Sequence, residues 1–120
     1  MIDLERTLAA ADLVAYAGAT WDWHRLHYDP AYLAERGLDR PVVDGQLLGA
    51  LMAEHAQDWA GPDSRLTRLR YRLVSMVFAG DTVRVTGAVA EVDGRRTTIE
   101  QQVLVGDRVA ATGTAEVTSR

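Results

Sequence analysis

At 120 residues, with 48% apolar and 25% charged side chains, the chain has the size and composition of one compact globular domain. A formal net charge of −4 argues against a nucleic-acid partner, because phosphate binding calls for a basic surface. The absence of cysteine excludes disulfides, thiol nucleophiles and thiolate metal sites.

In chain order, the first residues, Met-Ile-Asp-Leu-Glu-Arg, lack the basic-then-apolar pattern of a signal peptide. No apolar run approaches the ~20 residues needed to span a bilayer. A soluble, cytoplasmic protein with no membrane partner is expected. Residues 10–17 form an apolar helix. The segment 18–28 is too polar and too aromatic for an ordinary linker, with Trp21, Trp23, His24, His27 and Tyr28 in close succession. Asp29-Pro30 reads as a helix cap followed by proline at the first helical position; a short helix over 31–36 follows, and Gly37 stops it.

Asp44 is placed to cap a longer helix over 45–59, its carboxylate accepting from the first free amides. Leu48, Met52, His55 and Trp59 make one apolar stripe, widened by Leu47 and Leu51. Gly61-Pro62 ends the helix, and Gly49 and Ala53 would let it lie close to a sheet. Beyond residue 65 the period changes from 3.6 to 2. In 66–77, Leu69, Tyr71 and Leu73 oppose Arg68, Arg70 and Arg72. In 82–92 Val83, Val85 and Val89 share a face, in 97–105 Ile99, Val103 and Val105, and in 108–117 Val109, Ala111, Ala115 and Val117. Asp93-Gly94 and Gly106-Asp107 supply the short turns between the last three. These patterns predict a four-strand antiparallel meander, one face covered by the 45–59 helix. That is a single α+β domain over 1–120 with its sheet wrapped around one helix, the hotdog arrangement. So small a domain buries only about two-thirds of its unfolded surface, and its open sheet edges invite a second subunit.

The residues that point to chemistry are Asp22 and His27. Five apart, they would lie about 140° apart around an ideal helix, so an irregular loop has to bring them together. A carboxylate and an imidazole aimed at one point can share a water, one taking its proton and the other orienting it. The helix start at Gly45 offers free amides at a positive dipole end, and glycine lets a ligand approach closely. Taken alone, Asp22 reads as a plain loop or cap residue; with His27 and Gly45 beside it, the catalytic reading prevails. His24-x-x-His27 is a weak metal pattern with no further ligand cluster, and no metal or other cofactor is expected. His55 reads as a satisfied core or interface histidine, Asp29 as a cap, and Trp21 and Trp23 mainly as packing, with Trp23 and His24 also placed against substrate. The cluster Arg65, Arg68, Arg70 and Arg72 reads as a solvated strand face, the alternative being contact with a carrier's phosphates.

The run Tyr16-Ala-Gly-Ala-Thr-Trp-Asp22-Trp-His-Arg-Leu-His27-Tyr-Asp29-Pro30, followed by Arg40-Pro-Val-Val-Asp44-Gly45-Gln46, resembles the hydratase-2 motif and the central-helix start of the MaoC-like dehydratase family. The resemblance covers roughly residues 8 to 118. It implies a hotdog fold and hydration of 2-enoyl thioesters of CoA or acyl carrier protein, or the reverse dehydration, in fatty-acid metabolism. It also implies Asp22 and His27 as the catalytic pair, the Gly45 amide as oxyanion donor, and a homodimer, with a heterodimer as the alternative. His24 stands where the family usually has a loop-bracing asparagine, Arg25 where it has proline, and Asp44 where it has histidine. Asp44 is harmless there if it only caps the helix, and opposes enolate formation if it faces the pocket. Two competing functions remain: a hotdog thioesterase, which would need Glu54 on the central helix to activate water, and a non-catalytic subunit paired with an active one.

Overall fold

The computed structural model describes residues 1–120. Strand β1 (Leu4–Thr7) leads into helix α1 (Ala10–Thr20), a 3-10 turn (Arg25–His27), helix α2 (Pro30–Glu35), helix α3 (Gly45–Ala60) and strands β2 (Ser64–Leu73), β3 (Thr82–Asp93), β4 (Arg96–Val105) and β5 (Arg108–Ser119). The strands form one antiparallel sheet in the order β1-β3-β4-β5-β2. The sheet curls around α3, which gives the α+β hotdog arrangement expected from the sequence.

Helix α3 starts and stops where its caps dictate. Asp44 Oδ1 accepts from the Gln46 amide at 2.9 Å, and Gly61 closes the far end. Leu48, Leu51, Met52 and Ala56 are buried, and they meet Val83, Val85, Ile99 and Val103 from the sheet. Burying each large aliphatic side chain contributes about 1.5–3 kcal/mol. On the flank facing β2 the helix comes very close. A Cβ at Gly49 would lie 2.6 Å from the Tyr71 ring, and one at Gly45 would collide with Leu73 Cδ1. Trp59, expected on the buried stripe, is instead 42% exposed. Strand β1 is only four residues long, and it leaves a hollow beside the last turn of α3 lined by Ile2, Asp3, Leu4, His55, Asp58 and Trp59.

The expected four-strand meander is wrong in one pairing. β3, β4 and β5 are consecutive hairpins, but β2 pairs with β5 at the far edge and not with β3. Nor does β2 run on to residue 77. Beyond Leu73, the Val74 and Ser75 amides both turn to the Ala110 carbonyl (2.8 and 3.2 Å). Residues 74–81 then cross the end of the barrel-like sheet as a strap. The Val77 carbonyl accepts from Val43, Ala79 donates to Pro41, and Gly80 donates to Leu8. Asp81 holds the strap's end by accepting from the Phe78 amide and from Arg40. Val89 is 46% exposed because β1 pairs with β3 only as far as Val85, so Val89 stands at an open edge. No helix is long and apolar enough to cross a membrane.

Candidate active site

Three short segments converge at the N-terminus of α3. The first leaves α1 through Trp21, whose φ of 56° and ψ of 35° lie in the left-handed region. A bulky residue there stores about 1–3 kcal/mol of strain, and the turn it makes lets the Asp22 amide donate back to Ala17 at 3.0 Å. The Asp22 side chain thereby leaves the helix axis and faces the α3 start. An edge-to-face chain of aromatic rings braces the loop: Trp21 on Trp23 at 6.0 Å and Trp23 on Tyr28 at 6.1 Å. Gly18 leaves room for the Trp23 ring at 3.6 Å, and the Tyr28 hydroxyl donates to the Trp23 carbonyl.

His24 braces the same loop from the other side. Its Nδ1 accepts from the Leu26 amide at 3.1 Å and so caps the 3-10 turn that carries His27, while its ring stands edge-on to Tyr32. Arg25 Nε donates to Asp29 Oδ2 at 2.8 Å, and its guanidinium lies over Tyr32. Asp29 also caps α2, accepting from Ala31 and Tyr32. The Arg25 bond, with these backbone bonds, holds the Asp29 carboxyl below its usual range. Within this chain neither His24 nor Trp23 lines the groove described below.

The second segment, 41–43, is tied to the first by backbone. The Val42 amide donates to Leu26 O at 2.9 Å, and His27 Nδ1 lies 2.7 Å from Val42 O. A carbonyl can only accept, so the hydrogen is assigned to Nδ1, and in the neutral ring Nε2 carries the lone pair. That nitrogen points into the cluster. It lies 3.9 Å from Asp44 Oδ2, and ligand atoms of Asp22, His27 and Asp44 all fall within 4.8 Å of one another. Asp44 thus does both things weighed for it. One oxygen caps α3; the other is buried, without a hydrogen-bond partner, and faces the site.

Gly45 is the first residue of α3, and its amide donates to no backbone carbonyl. Beside it opens a groove of about 350 Å³ lined by His27, Val42, Gly45, Leu73, Val74 and Met76, among others. Leu73, Val74 and Met76 are each 54% exposed. Behind His27 and Asp44 lies a closed apolar pocket with no room for water, walled by Leu13, Tyr16 and Leu47. Burial first, and then the Asp44 charge, push the Tyr16 phenol above its usual value, so it stays a neutral O–H. Two participants escaped the sequence reading. The Val42 carbonyl leaves no side-chain trace, and Tyr16 sits in an ordinary helical pattern.

Glu54 pairs with Arg6 of β1 at 2.9 Å, on a part-exposed surface outside this cluster. Of the basic cluster on β2, Arg68 pairs with Glu116 at 3.7 Å. Arg70 and Arg72 line a polar hollow of about 640 Å³ that includes none of the residues above.

The family model described as "MaoC like domain" matches residues 2–111. The chain is 30% identical over 118 residues to an (R)-specific enoyl-CoA hydratase of Aeromonas caviae, covering 95% of this chain and 88% of that protein. It is 29% identical over 102 residues to the 3-oxo-4,17-pregnadiene-20-carboxyl-CoA hydratase beta subunit of Mycobacterium tuberculosis, covering 83% and 79%. Among solved structures it superposes on a chain of the ChsH1-ChsH2 complex from Mycobacterium tuberculosis with a TM-score of 0.92 at 25% identity, covering 100% of this chain and 94% of that one.

Proposed function

The chain belongs to the MaoC-like domain family, and from that premise we propose that it adds water to 2-enoyl thioesters, or removes it from 3-hydroxyacyl thioesters. The similarity to an (R)-specific enoyl-CoA hydratase and to the beta subunit of another CoA-thioester hydratase supports this reading. The observation that carries it is the cluster of Asp22 with His27, whose hydrogen-bonded Nδ1 turns Nε2 toward that carboxylate, beside the unpartnered Gly45 amide on an apolar groove that His27 and Gly45 both line.

In the hydration direction the thioester carbonyl sits on the Gly45 amide and the acyl chain lies in the groove. Asp22 takes a proton from the water, and His27 Nε2 accepts its other hydrogen and aims the oxygen at C3. As the C3–O bond forms, the electron pair of the double bond moves onto the thioester oxygen, where the amide and the α3 dipole stabilise it. The enolate then collapses, and the proton held by Asp22 goes to C2. His24 serves as the loop brace in place of a side-chain amide, and Trp23 holds the loop from outside. Whether the carrier is CoA or acyl carrier protein lies outside the groove, in the part of the ligand this chain leaves uncovered.

A second subunit belongs to this reading. The groove is walled by half-exposed Leu73, Val74 and Met76, and both sheet edges are free. A homodimer closes the groove with a second copy of the same edge. The similarity to a beta subunit and to a chain of a two-protein complex favours, as a second reading, a heteromeric hydratase in which this chain supplies the intact Asp22 and His27. The thioesterase alternative is less favoured, since Glu54 lies on the part-exposed surface beside Arg6 and outside the Asp22, His27 and Asp44 cluster.

The test is loss of enoyl absorbance on mixing the purified protein with crotonyl-CoA and with longer or branched enoyl-CoAs. Asp22→Asn and His27→Ala should each reduce the rate about 10²–10⁴-fold, the usual contribution of a general acid–base. Release of free CoA without formation of a 3-hydroxyacyl product would identify a thioesterase. No turnover, alone or with a co-purified second subunit, would overturn the assignment.

A further inference from the structure

The electrostatics around Asp44 are incomplete. Two carboxylates from different segments, Asp22 and Asp44, face one imidazole, and the buried Asp44 Oδ2 has no hydrogen-bond partner. A buried acceptor left unpaired costs about 1–3 kcal/mol, and more if charged. The imidazole between the carboxylates presents a lone pair, because its hydrogen is committed to the Val42 carbonyl at 2.7 Å. A histidine oriented by a carbonyl on one nitrogen, with the other nitrogen free and carboxylate oxygens beside it, is the donor arrangement of a metal ligand.

We propose that Asp22, His27 and Asp44 form a binding site for a divalent transition-metal cation of the Zn²⁺ type. Bound there, the cation occupies the position of the reacting water and blocks turnover. The metal site itself stands on geometry; only the inhibition rests on the hydration reading. Zinc–nitrogen and zinc–oxygen bonds of about 2.0–2.2 Å set tetrahedral donors roughly 3.3 Å apart. The 3.9 Å from His27 Nε2 to Asp44 Oδ2 is about half an ångström longer than that, and rotation of the Asp22 side chain supplies the third donor. The fourth position is left for water, and His27 is the donor that also lines the groove. One imidazole nitrogen with two carboxylate oxygens selects Zn²⁺ or Co²⁺ over Mg²⁺ and Ca²⁺, which prefer oxygen alone. The anchors resist distortion: the α3 cap fixes Asp44, and the Val42 carbonyl fixes His27.

Calorimetric titration of the full chain with ZnCl₂ in a non-coordinating buffer tests the site without any enzymatic readout. One ion per chain should bind. Asp44→Asn and His27→Ala should weaken binding at least tenfold, His55→Gln, in a separate hollow, should leave it unchanged, and Mg²⁺ should not compete. Asn at 44 keeps an oxygen for the Gln46 amide, so the fold survives the change, and circular dichroism checks that it does. If both variants bind zinc as tightly as the wild type, or if His55→Gln alone abolishes binding, the site is overturned as adventitious binding elsewhere. In the hydration assay Zn²⁺ should inhibit competitively with the enoyl thioester. Saturating zinc without inhibition would overturn the blocking role. Zinc binding that maps to the three residues in a protein that hydrates no thioester would instead remove the proposed function and leave the cation site standing.

Discussion

Replacing Gly45 with alanine separates what α3 does for the fold from what it does for the reaction. Alanine is the better helix former by about 1 kcal/mol, and the first helical turn tolerates it. The added Cβ collides with Leu73 Cδ1, the far end of a flexible side chain that is 54% exposed and free to swing outward. The two effects nearly cancel, so the melting temperature should change by no more than a few degrees. Catalysis should suffer far more. The methyl sits where the thioester oxygen must approach the Gly45 amide, and the displaced Leu73 moves into the groove. A misplacement of about 1 Å is worth on the order of 10²-fold in rate, and loss of an oxyanion donor about 10²–10³-fold. Gly49→Ala, one turn on, is the control: its Cβ meets the Tyr71 ring at 2.6 Å, away from the amide. That overpacking should destabilise by about 1–3 kcal/mol and leave the rate per folded molecule within a few-fold. Steady-state hydration of crotonyl-CoA and thermal melts on both variants decide the matter. A Gly45→Ala protein with wild-type kcat/KM would refute the placement of the thioester oxygen on that amide.

Three further outcomes follow from the geometry. His55 is buried against Gln101, whose Nε2 donates to His55 Nδ1 at 2.8 Å and to the Met52 carbonyl at 2.9 Å; burial holds its imidazole below the usual histidine range. The unfolded chain therefore binds the His55 proton more readily than the folded one. Its contribution to stability is complete above an unfolded value of about 6.5 and is lost as pH falls below it. Melting temperature should drop between pH 7.5 and pH 5.5, and His55→Gln should flatten that slope; an unchanged slope would show that His55 does not govern it. Nitrogen NMR of the neutral protein should find His27 protonated on Nδ1, and a spectrum with the hydrogen on Nε2 would contradict the bond to Val42. Finally, Trp21→Gly should relieve left-handed strain and stabilise the fold by about 1 kcal/mol, because the indole is 80% exposed and little burial is lost; a lower melting temperature would show that ring stacking on Trp23 outweighs the strain.

Much of the fold could be read in advance where its causes are local. Asp44 and Gly61 bound α3 because caps act within one turn, and β3, β4 and β5 alternate cleanly because each hairpin is closed by its own glycine turn. What escaped was non-local. The alternation in β2 is plain, but nothing in it says that its partner is β5, some forty residues later. Strand β1, Leu-Glu-Arg-Thr, is too short to show a period. The strap at 74–81 reads as a continued strand because Val74, Met76 and Val77 are apolar; only the cross-links to Pro41, Val43 and Leu8 reveal what it is for.

The site shows the same division, and there it bears on chemistry. Asp22, His27 and Gly45 are recognisable by residue type and order, since each acts through its own side chain or amide. What aims them is backbone. The left-handed turn at Trp21, the Leu26–Val42 pairing and the His27–Val42 bond decide that the imidazole offers Nε2 and not Nδ1. His24 and Asp44, the departures noticed in the sequence, resolve differently for that reason. His24 spends its nitrogen on the Leu26 amide and so replaces one loop brace with another. Asp44 has two oxygens and the helix end needs only one. The spare oxygen is left facing His27, the geometry on which the proposed cation site rests; in the proposed reaction its charge would oppose the enolate, so of the two departures this one bears more on the chemistry.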